Sequence, residues 1–409
     1  VVSVTADKHI AKGPGRPVFN ENKRAAMLAA LDFVHAVCIV DAPTALPVIE
    51  ILKPHVYVKG AEYQDSTEAA WYAERQAVEK HRGQVRFTNG ETASSSTLIN
   101  SYLSPWPKET QRFITEFKAK HSLDDVIGWL DKAREIKATV IGEPVLDEYV
   151  FVKPRGKSPK DSIICFEETG RAWYAGGAEI VAAHASQVCK ATFSSRDVRK
   201  IVKTRYVLEP FQIKQFMCCN GSEVSGPLPA PETLRGLTIV ADFGHGLIPP
   251  SWAAKSSAAE FIALTCQTNS LNYGFNLLTK WQRAHYVVCD EEELRLACSD
   301  AAGEIPGLAW HLRQQMGISA LAVTMGHKGC FVVSEGQSVI CPALADKVID
   351  RTGAGDAFLG YTAPLAYLGA PVEVIALVGS VASAVKVGIL GNKPVERDIV
   401  VRWLKGMLK

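Results

Sequence analysis

Short apolar runs alternate with helix-type segments in two stretches of this chain, and this alternation limits the possible fold more than any other feature. In the first stretch the β-type runs lie at residues 1–5, 37–40, 56–58 and 85–87. In the second stretch they lie at residues 138–142, 238–242, 261–265, 285–289 and 321–325. Strands separated by helices of ordinary length favour parallel sheets covered by helices. The predicted fold class is therefore α/β in both stretches.

A Ser-Pro-Trp-Pro sequence at residues 104–107 separates the two stretches, because clustered prolines interrupt helices and strands alike. Beyond it, Ser122 and Asp125 have the spacing of a capping box, which predicts the start of a connecting helix. Residues 149–166 and 203–216 have β character and no helix of their own, so we expect them to form a small extra sheet. We predict a first domain over residues 1–103, a linker with a connecting helix over 104–137, and a second domain over 138–409.

Charge and composition exclude several classes of protein. The chain has 409 residues, with 45 Lys and Arg against 43 Asp and Glu, and a formal net charge of +2. Such a balance argues against binding of nucleic acid or of a membrane surface through a basic face. No run reaches the ~20 apolar residues of a membrane-spanning helix. The 10 cysteines show no CxxC spacing, so we expect reduced thiols and a cytoplasmic protein.

The strongest chemical signal is the sequence Gly353-Ala354-Gly355-Asp356, which stands between a β-type segment and a long apolar helix. The glycines allow backbone N–H groups to converge at the start of that helix, where the helix dipole favours an anion. An aspartate in the first turn lies beside such an anion and can accept a proton from an attacking alcohol. A phosphoryl-transfer site requires this pairing of charge stabilisation with a positioned base. These four residues alone also fit a plain helix start with an ordinary N-terminal charge.

More of the second stretch agrees with phosphoryl transfer. Residues 350–358, Asp-Arg-Thr-Gly-Ala-Gly-Asp-Ala-Phe, resemble the signature of the ribokinase-like (PfkB) carbohydrate kinases, and the resemblance covers residues 138–409. It implies a ribokinase-like α/β domain with a small β lid, Asp356 as the catalytic base, and an anion hole formed by the amides of Gly353, Ala354 and Gly355. It also implies an acceptor site, whose residues would be Asp147, Gly176, Gly177, Asp242, Lys203 and Arg205.

The same resemblance implies a site for ATP and Mg²⁺. Residues 323–329 match the family's nucleotide loop, residues 387–392 match the segment that closes over the adenine, and residues 290–293 stand where the family has N-x-x-E, which organises magnesium and phosphates. The implied cofactor residues are Thr324, Gly326, Gly329, Asn392, Asp290 and Glu293, and Glu293 would act on the metal indirectly. Asp290 replaces the family's asparagine, and Ile180 stands near the place of a sugar-contacting asparagine, so the identity of the sugar stays open. Asp242 fits a satisfied carboxylate at a strand end equally well, and Lys203 and Arg205 also fit a solvated lid strand.

The first stretch carries groups that suit phosphate: a glycine-rich basic loop at 12–17, Lys59 at the end of a β-type run, and hydroxyls at 94–97 that open a predicted helix over 94–103. Serines at a helix start are also ordinary caps. Together, residues 1–103 resemble the cytidylyltransferase-like nucleotidyltransferases, most nearly the adenylyltransferase half of the bifunctional heptose 7-phosphate kinase/heptose 1-phosphate adenylyltransferases, with the domain order reversed. This resemblance implies a Rossmann-like domain with the site residues Lys12, Arg24, Lys59, Ser95, Ser96 and Thr97. The family's H-x-G-H motif is absent, and because the chain begins inside a strand-like run, we expect that motif upstream of Val1.

These observations predict a two-domain cytoplasmic enzyme. The second domain would phosphorylate a sugar or sugar phosphate with ATP and Mg²⁺, and the resemblance implies a heptose 7-phosphate-like acceptor that reacts at its anomeric hydroxyl. The first domain would convert the resulting sugar 1-phosphate to an NDP-sugar. Two alternatives stay open: a sugar or nucleoside kinase with a purely structural first domain, and a non-catalytic protein whose sites have decayed into ligand sensing or scaffolding. A homodimer is also expected, since members of the kinase family often dimerise through the lid sheet.

Overall fold

The computed structural model describes residues 1–10, 17–64, 66–88, 106–194, 201–209, 213–220, 235–255 and 259–408. The chain divides into two compact units. One comprises Val1–Lys108 with Lys405–Met407, and the other comprises Glu109–Leu404 with Leu408–Lys409. The helix predicted over 94–103 lies outside the described residues.

The first unit contains two pairs of parallel strands. Its elements are β1 (Val2–Thr5), α1 (Glu21–Ala29), β2 (Val37–Val40), α2 (Leu46–Leu52), β3 (Val56–Lys59), α3 (Ala69–Lys80) and β4 (Gln84–Phe87). Strand β1 pairs with β2, and β3 pairs with β4. The sequence predicts one continuous parallel sheet, whereas the structure has two, because no described strand pairs with members of both. On β3, Val56 and Val58 are about half exposed, in keeping with a sheet that has free edges.

Local sequence accounts for the helices of this unit. Asn20 caps α1, and its side chain accepts a hydrogen bond from the backbone N–H of Lys23 at 2.9 Å. Helices α2 and α3 pack together through a small core of Ile49, Ala77 and Val78. This core is modest, so the first unit buries little apolar surface compared with the second.

An eight-stranded sheet organises the second unit. In order across the sheet its strands are β16 (Gln337–Cys341), β15 (Cys330–Ser334), β14 (Ala320–Thr324), β13 (Tyr286–Asp290), β12 (Phe261–Cys266), β11 (Leu237–Asp242), β5 (Lys137–Gly142) and β8 (Lys190–Phe193). Six neighbouring strands of this sheet are parallel to one another: β8, β5, β11, β12, β13 and β14. The two remaining strands, β15 and β16, pair in antiparallel fashion. The carboxyl ends of the parallel strands meet at one edge, which is where open α/β sheets bind ligands.

Helices flank this sheet. They are α4 (Lys108–Lys118), α5 (Leu123–Ala133), α6 (Ala178–Ala185), α7 (Pro250–Lys255), α8 (Glu291–Cys298), α9 (Ile305–Gln315), α10 (Ala354–Tyr367), α11 (Val372–Val387) and α12 (Arg397–Leu408). The predicted capping box is confirmed at α5, where Ser122 and Asp125 each accept a backbone hydrogen bond from the other. Helices α10 and α11 are almost wholly buried against each other, and they come so close that a Cβ on Gly379 would lie 2.5 Å from the Phe358 ring. Within the described residues, no helix combines the length and apolarity needed to cross a membrane.

A second, four-stranded sheet forms the expected lid. Its order is β10 (Ile213–Asn220), β9 (Ile201–Leu208), β6 (Pro144–Lys157) and β7 (Ile164–Gly177). Strand β6 continues the chain from the carboxyl end of β5, so the lid grows out of the ligand-binding edge of the main sheet. The parallel register of β6 and β9 places Asp147 beside Lys203 and Tyr149 beside Arg205.

Candidate active site

The start of α10 has the geometry of an anion-binding turn. Gly353 precedes the helix with φ of +79°, a left-handed conformation that residues with a Cβ rarely adopt. A Cβ there would also lie 2.3 Å from Oδ1 of Asn392, so the position requires glycine. A Cβ on Gly355 would have no described atom within 4 Å. The positive end of the helix dipole therefore meets open space, where an anion would be stabilised.

Asp356 lies in the first turn of α10 and is only 6% exposed. Nε2 of Gln267 donates a hydrogen bond to its Oδ1 at 3.3 Å. Burial and the nearby Asp147 raise the pKa of Asp356, Lys203 and Lys386 oppose the shift, and the net pKa is about 7. A carboxyl group that ionises near neutral pH is well matched to general-base catalysis.

The predicted acceptor residues on the lid converge around the carboxylate of Asp147. Arg205 donates a hydrogen bond to Oδ1, and Nδ2 of Asn392 donates to Oδ2 at 3.0 Å. A Cβ on Gly176 would lie 2.5 Å from Oδ2, so glycine makes room for this carboxylate. Lys203 is adjacent on β9, and burial lowers its pKa while Asp147 opposes that shift. Asn392, which the resemblance assigns to the nucleotide, thus contacts the acceptor side.

Gly177 is required for the turn from β7 into α6. Its φ is +59°, and a Cβ there would lie 2.2 Å from the carbonyl oxygen of Glu143. The N–H of Ala178 donates to that same oxygen at 2.9 Å. This turn joins the lid to the main sheet, so Gly177 supports the acceptor site without offering a side chain to it.

Sequence reasoning gave no role to Asp350, which the structure makes the hub of a buried network. Its carboxylate accepts hydrogen bonds from the Tyr149 hydroxyl at 2.6 Å, from the N–H of Thr352 at 2.9 Å and from the N–H of Gly391 at 3.1 Å. Lys214, on lid strand β10, forms an ion pair with it and also donates to Oγ1 of Thr352 at 2.5 Å. Burial alone would raise the pKa of Asp350, but Lys214 and Tyr149 hold it below its usual range. The sequence signal that could have indicated a role for Asp350 is its position in the signature. No local sequence pattern indicates a role for Lys214.

Three of the six residues predicted to bind nucleotide or metal border a cavity of about 870 Å³, whereas Gly329, Asn392 and Glu293 do not line it. Asp290, Thr324 and Gly326 line it. Positively charged Arg295 and Lys328 contribute to the same wall. Gly329, at the end of the loop, has φ of +95°, and a Cβ there would lie 2.0 Å from the carbonyl oxygen of Cys341. The loop conformation therefore depends on glycine, and the cavity has the size of a small-molecule site.

Asp290 and Glu293 form a capping box at the start of α8. Oδ1 of Asp290 accepts from the N–H of Glu293 at 2.8 Å, and Oε2 of Glu293 accepts from the N–H of Asp290 at 2.9 Å. Burial, together with the nearby Asp290, raises the pKa of Glu293 to about 8. The part of the chain that the structure describes contains no cluster of three or more His, Cys, Asp or Glu side chains able to hold a metal. A magnesium ion bound mainly through nucleotide phosphates needs only one or two carboxylates, so these residues fit an indirect role.

Asp242 has the contacts of a structural carboxylate, the alternative that the sequence left open. It is completely buried at the end of β11. Nδ2 of Asn276 donates to Oδ1 at 3.1 Å, Nε1 of Trp281 donates to Oδ2 at 3.1 Å, and Lys280 forms an ion pair with Oδ2 at 2.5 Å. Its oxygens are therefore engaged within the protein.

The predicted nucleotidyltransferase residues fall into two groups. Arg24 and Lys59 are engaged internally: Arg24 pairs with Asp7 at 2.5 Å, and Lys59 pairs with the buried Glu74 at 2.5 Å. Lys59 also lies 4.7 Å from the centre of the Tyr63 ring. Lys12, Ser95, Ser96 and Thr97 lie outside the described residues. In the described part of this unit, both predicted cationic site residues are thus held in ion pairs, and they do not converge on a shared site.

A comparison with protein families identifies the second unit. Residues 252–394 match the model of the pfkB family carbohydrate kinases. This segment includes the nucleotide loop, the anion-binding turn and Asp356. The chain carries a pfkB-family carbohydrate kinase domain.

Solved structures show that the kinase domain has the ribokinase fold. Ribokinase from Thermotoga maritima superimposes with a TM-score of 0.52 at 16% identity, over 66% of this chain and 99% of that chain. Phosphofructokinase-2 from Escherichia coli, in complex with substrates and products, superimposes with a TM-score of 0.51 at 12% identity, over 66% of this chain and 98% of that chain. At these identities the likeness concerns the fold alone.

Curated relatives match a shorter part of the chain. The bifunctional protein HldE of Campylobacter fetus is 48% identical over 65 residues, which is 15% of this chain and 14% of that protein. HldE of Citrifermentans bemidjiense is 38% identical over 111 residues, 26% of this chain and 22% of that protein. The chain thus matches less than a quarter of the length of either relative.

Proposed function

We propose that the kinase domain transfers the terminal phosphoryl group of ATP to a hydroxyl of a sugar or sugar phosphate, with Asp356 as general base. One observation carries this proposal: a buried carboxyl whose pKa is about 7 stands in the first turn of a helix that begins at an anion-binding turn. Asp356 accepts the proton of the attacking hydroxyl, and the amides of Gly353, Ala354 and Gly355 bind the charge that develops on the phosphoryl oxygens.

The charges around the site support an acceptor that already bears a phosphate. Four cationic side chains face three carboxylates there: Lys203, Arg205, Lys214 and Lys386 against Asp147, Asp350 and Asp356. A phosphate would balance the excess positive charge. We infer a heptose 7-phosphate-like acceptor that reacts at its anomeric hydroxyl, in keeping with the similarity to the HldE proteins.

Magnesium is part of the proposal. When bound, Mg²⁺ neutralises charge on the transferring phosphates. Glu293 would hold it through water, and the capping box with Asp290, which lines the nucleotide cavity, fixes the position of that carboxyl. Arg295 and Lys328, which both pair with Glu291 in this structure, would exchange that pairing for phosphate oxygens.

We further propose that residues 1–103 form a nucleotidyltransferase-like domain and 138–409 the kinase domain, which together would convert a sugar to an NDP-sugar. Parallel strand pairs and the HldE similarity support the first assignment. The ten free thiols support a cytoplasmic location. Exposed apolar side chains on the lid support a homodimer through that sheet; they are Ile164, Phe166, Trp173 and Phe216.

One alternative is favoured by a specific observation. Arg24 and Lys59 are bound in internal ion pairs, which is what a purely structural first unit would show. In that case the kinase would work alone on a sugar or nucleoside. A decayed, non-catalytic protein is disfavoured, because both Asp356 and the anion-binding turn retain a working geometry.

The test is ATP consumption against a panel of sugars and sugar phosphates that includes heptose 7-phosphate, with phosphorus NMR of each product. We expect a new anomeric phosphate, and a loss of about 10²-fold or more in kcat for Asp356→Asn, as removal of a general base predicts. Asp346→Asn is the matched control, because Asp346 is exposed and lies outside the site. Wild-type turnover by the Asp356→Asn variant would refute the assignment of the base.

A further inference from the structure

Lys386 is a completely buried lysine in the last turn of α11. Charged side chains are almost never fully buried without a partner, because removal of an ammonium group from water costs several kcal/mol. The ordinary explanation would be an ion pair of its own. Within the described residues, Lys386 has none at 4.0 Å or less.

The hydrogen bonds of Lys386 are also incomplete. Nζ donates to the carbonyl oxygen of Gly391 at 3.1 Å, and an ammonium group has three N–H donors. No other acceptor in the described residues is bonded to it. The ammonium is therefore compensated by something other than one local partner.

The position of the side chain indicates what compensates it. A Cβ on Gly353 would lie 3.2 Å from Cε of Lys386 and 2.3 Å from Oδ1 of Asn392, so both side chains pack directly against the anion-binding turn. Oδ1 of Asn392 is buried and has no hydrogen-bond partner. The carboxylates that interact with Lys386 electrostatically are Asp350, Asp356 and Asp147, all of which belong to the active site.

We propose that Lys386 is a positioning residue of the kinase reaction, whose buried ammonium holds the turn at Gly391 against Gly353 and supplies fixed positive charge beside the start of α10. This charge favours the ionised form of Asp356, which acts as the base, and adds to the potential that attracts the transferring phosphoryl group. The inference rests on the proposed role of Asp356. It assigns to α11 an electrostatic function that the sequence motif does not contain.

Asp356 is surrounded by few other charges that could replace Lys386. Asp147 approaches from β6, Lys203 from β9, Glu293 from α8 and the neutral Gln267 from the end of β12. Lys203 and Lys386 lower the pKa of Asp356, whereas Asp147 and burial raise it. Loss of Lys386 would thus leave Lys203 and the hydrogen bond from Gln267 to oppose both effects.

The first experiment compares Lys386→Met with Lys386→Arg and with the control Lys393→Met, which removes an exposed lysine from the neighbouring loop. Aspartate labelled with ¹³C at the carboxyl carbon allows titration of Asp356 by NMR without any substrate, and the Asp356→Asn variant identifies its signal. In Lys386→Met we expect the midpoint to rise by about one pH unit or more. With ATP and an acceptor, kcat at pH 7 should fall roughly tenfold, and Lys386→Arg should restore much of both quantities. An unchanged Asp356 midpoint in folded Lys386→Met would overturn the proposal.

A second measurement covers the case in which Lys386→Met does not fold. Lysine labelled with ¹³C at Cε allows Lys386 itself to be titrated in the wild-type protein and in Asp356→Asn. Because coupling between two titrating groups is reciprocal, removal of the Asp356 charge should lower the midpoint of Lys386. An identical Lys386 titration in both proteins would exclude the coupling. Both titrations need no turnover, so they stay informative even if no acceptor is phosphorylated and the proposed function fails.

Discussion

At the scale of the residue, the site depends on one carboxyl group kept away from water. Burial brings the pKa of Asp356 from the ordinary 3.8 to about 7, which makes it a stronger base than an exposed aspartate and leaves it partly protonated at neutral pH. The signature identified this residue from sequence. Its basicity could not be predicted there, because it depends on burial in the folded protein and on the charges of Asp147, Lys203 and Lys386, which are distant along the chain.

We expect the rate of the kinase to follow the ionisation of Asp356. The base acts when deprotonated, so kcat should increase as pH rises through about 7 and should decline tenfold per pH unit well below that value. A profile of kcat from pH 5 to pH 9 measures this midpoint. A profile that is flat across pH 6 to 8 would contradict it.

The raised pKa of Asp356 helps catalysis but reduces the stability of the folded protein above neutral pH. A carboxyl whose pKa is higher in the folded state contributes stability below its ordinary pKa, and this contribution is lost as pH rises from about 4 to about 7. At pH 8 the folded protein therefore carries an ionised, buried Asp356. We expect Asp356→Asn to raise the free energy of unfolding at pH 8 by roughly 1–4 kcal/mol, and to leave it nearly unchanged at pH 4. Urea denaturation at the two pH values tests the difference, and an equal effect at both would contradict it.

At the scale of the element, the ends of helices and strands hold most of the functional groups. Helix α8 begins at the Asp290 and Glu293 capping box, and α10 begins at Gly353. The sequence predicted the start of α10, whereas residues 290–293 were assigned to magnesium and phosphates by the resemblance and not predicted as a cap. The contact of Asn392 with Asp147 joins residues 245 positions apart, and no local pattern could place Asn392 on the acceptor side.

We expect the cap at α8 to stabilise the kinase domain. Asp290→Ala removes the acceptor for the N–H of Glu293 and should cost about 1 kcal/mol in the free energy of unfolding, whereas Asp290→Asn keeps a good cap and should cost much less. Asp290→Asn is thus the control for loss of the charge. Equal urea midpoints for the two variants would show that the cap contributes nothing.

At the scale of the whole molecule, the chain combines two units with unequal cores. Alternation of strands and helices predicted both, and the lid was predicted from its two β-rich segments without helices. The split of the first unit into two strand pairs could not be predicted, because periodicity identifies a strand and leaves its pairing partner undetermined.

Differential scanning calorimetry with an added ligand can distinguish the unfolding transitions of the two units. If each unfolds as its own cooperative unit, ATP at about 100 times its Kd should stabilise the transition of the kinase domain by about 2.7 kcal/mol. Adenosine, which lacks the phosphates, is the control and should shift it less. A shift of neither transition would contradict ATP binding, and a shift of both would favour a nucleotide site in the first unit as well.

Strand β6 runs from Pro144, at the rim of the main sheet, to Lys157 at the lid's far end, with irregular pairing to β7 at Phe151–Val152 and Pro154–Gly156. At ~3.3 Å per residue, Asp147 stands ~10 Å along this arm and Lys157 ~43 Å along it. A rotation of β6 about its base as one rigid arm would therefore move the tip about four times as far as the carboxylate of Asp147. A fluorophore at the tip would magnify a displacement of Asp147 too small to detect at the site itself.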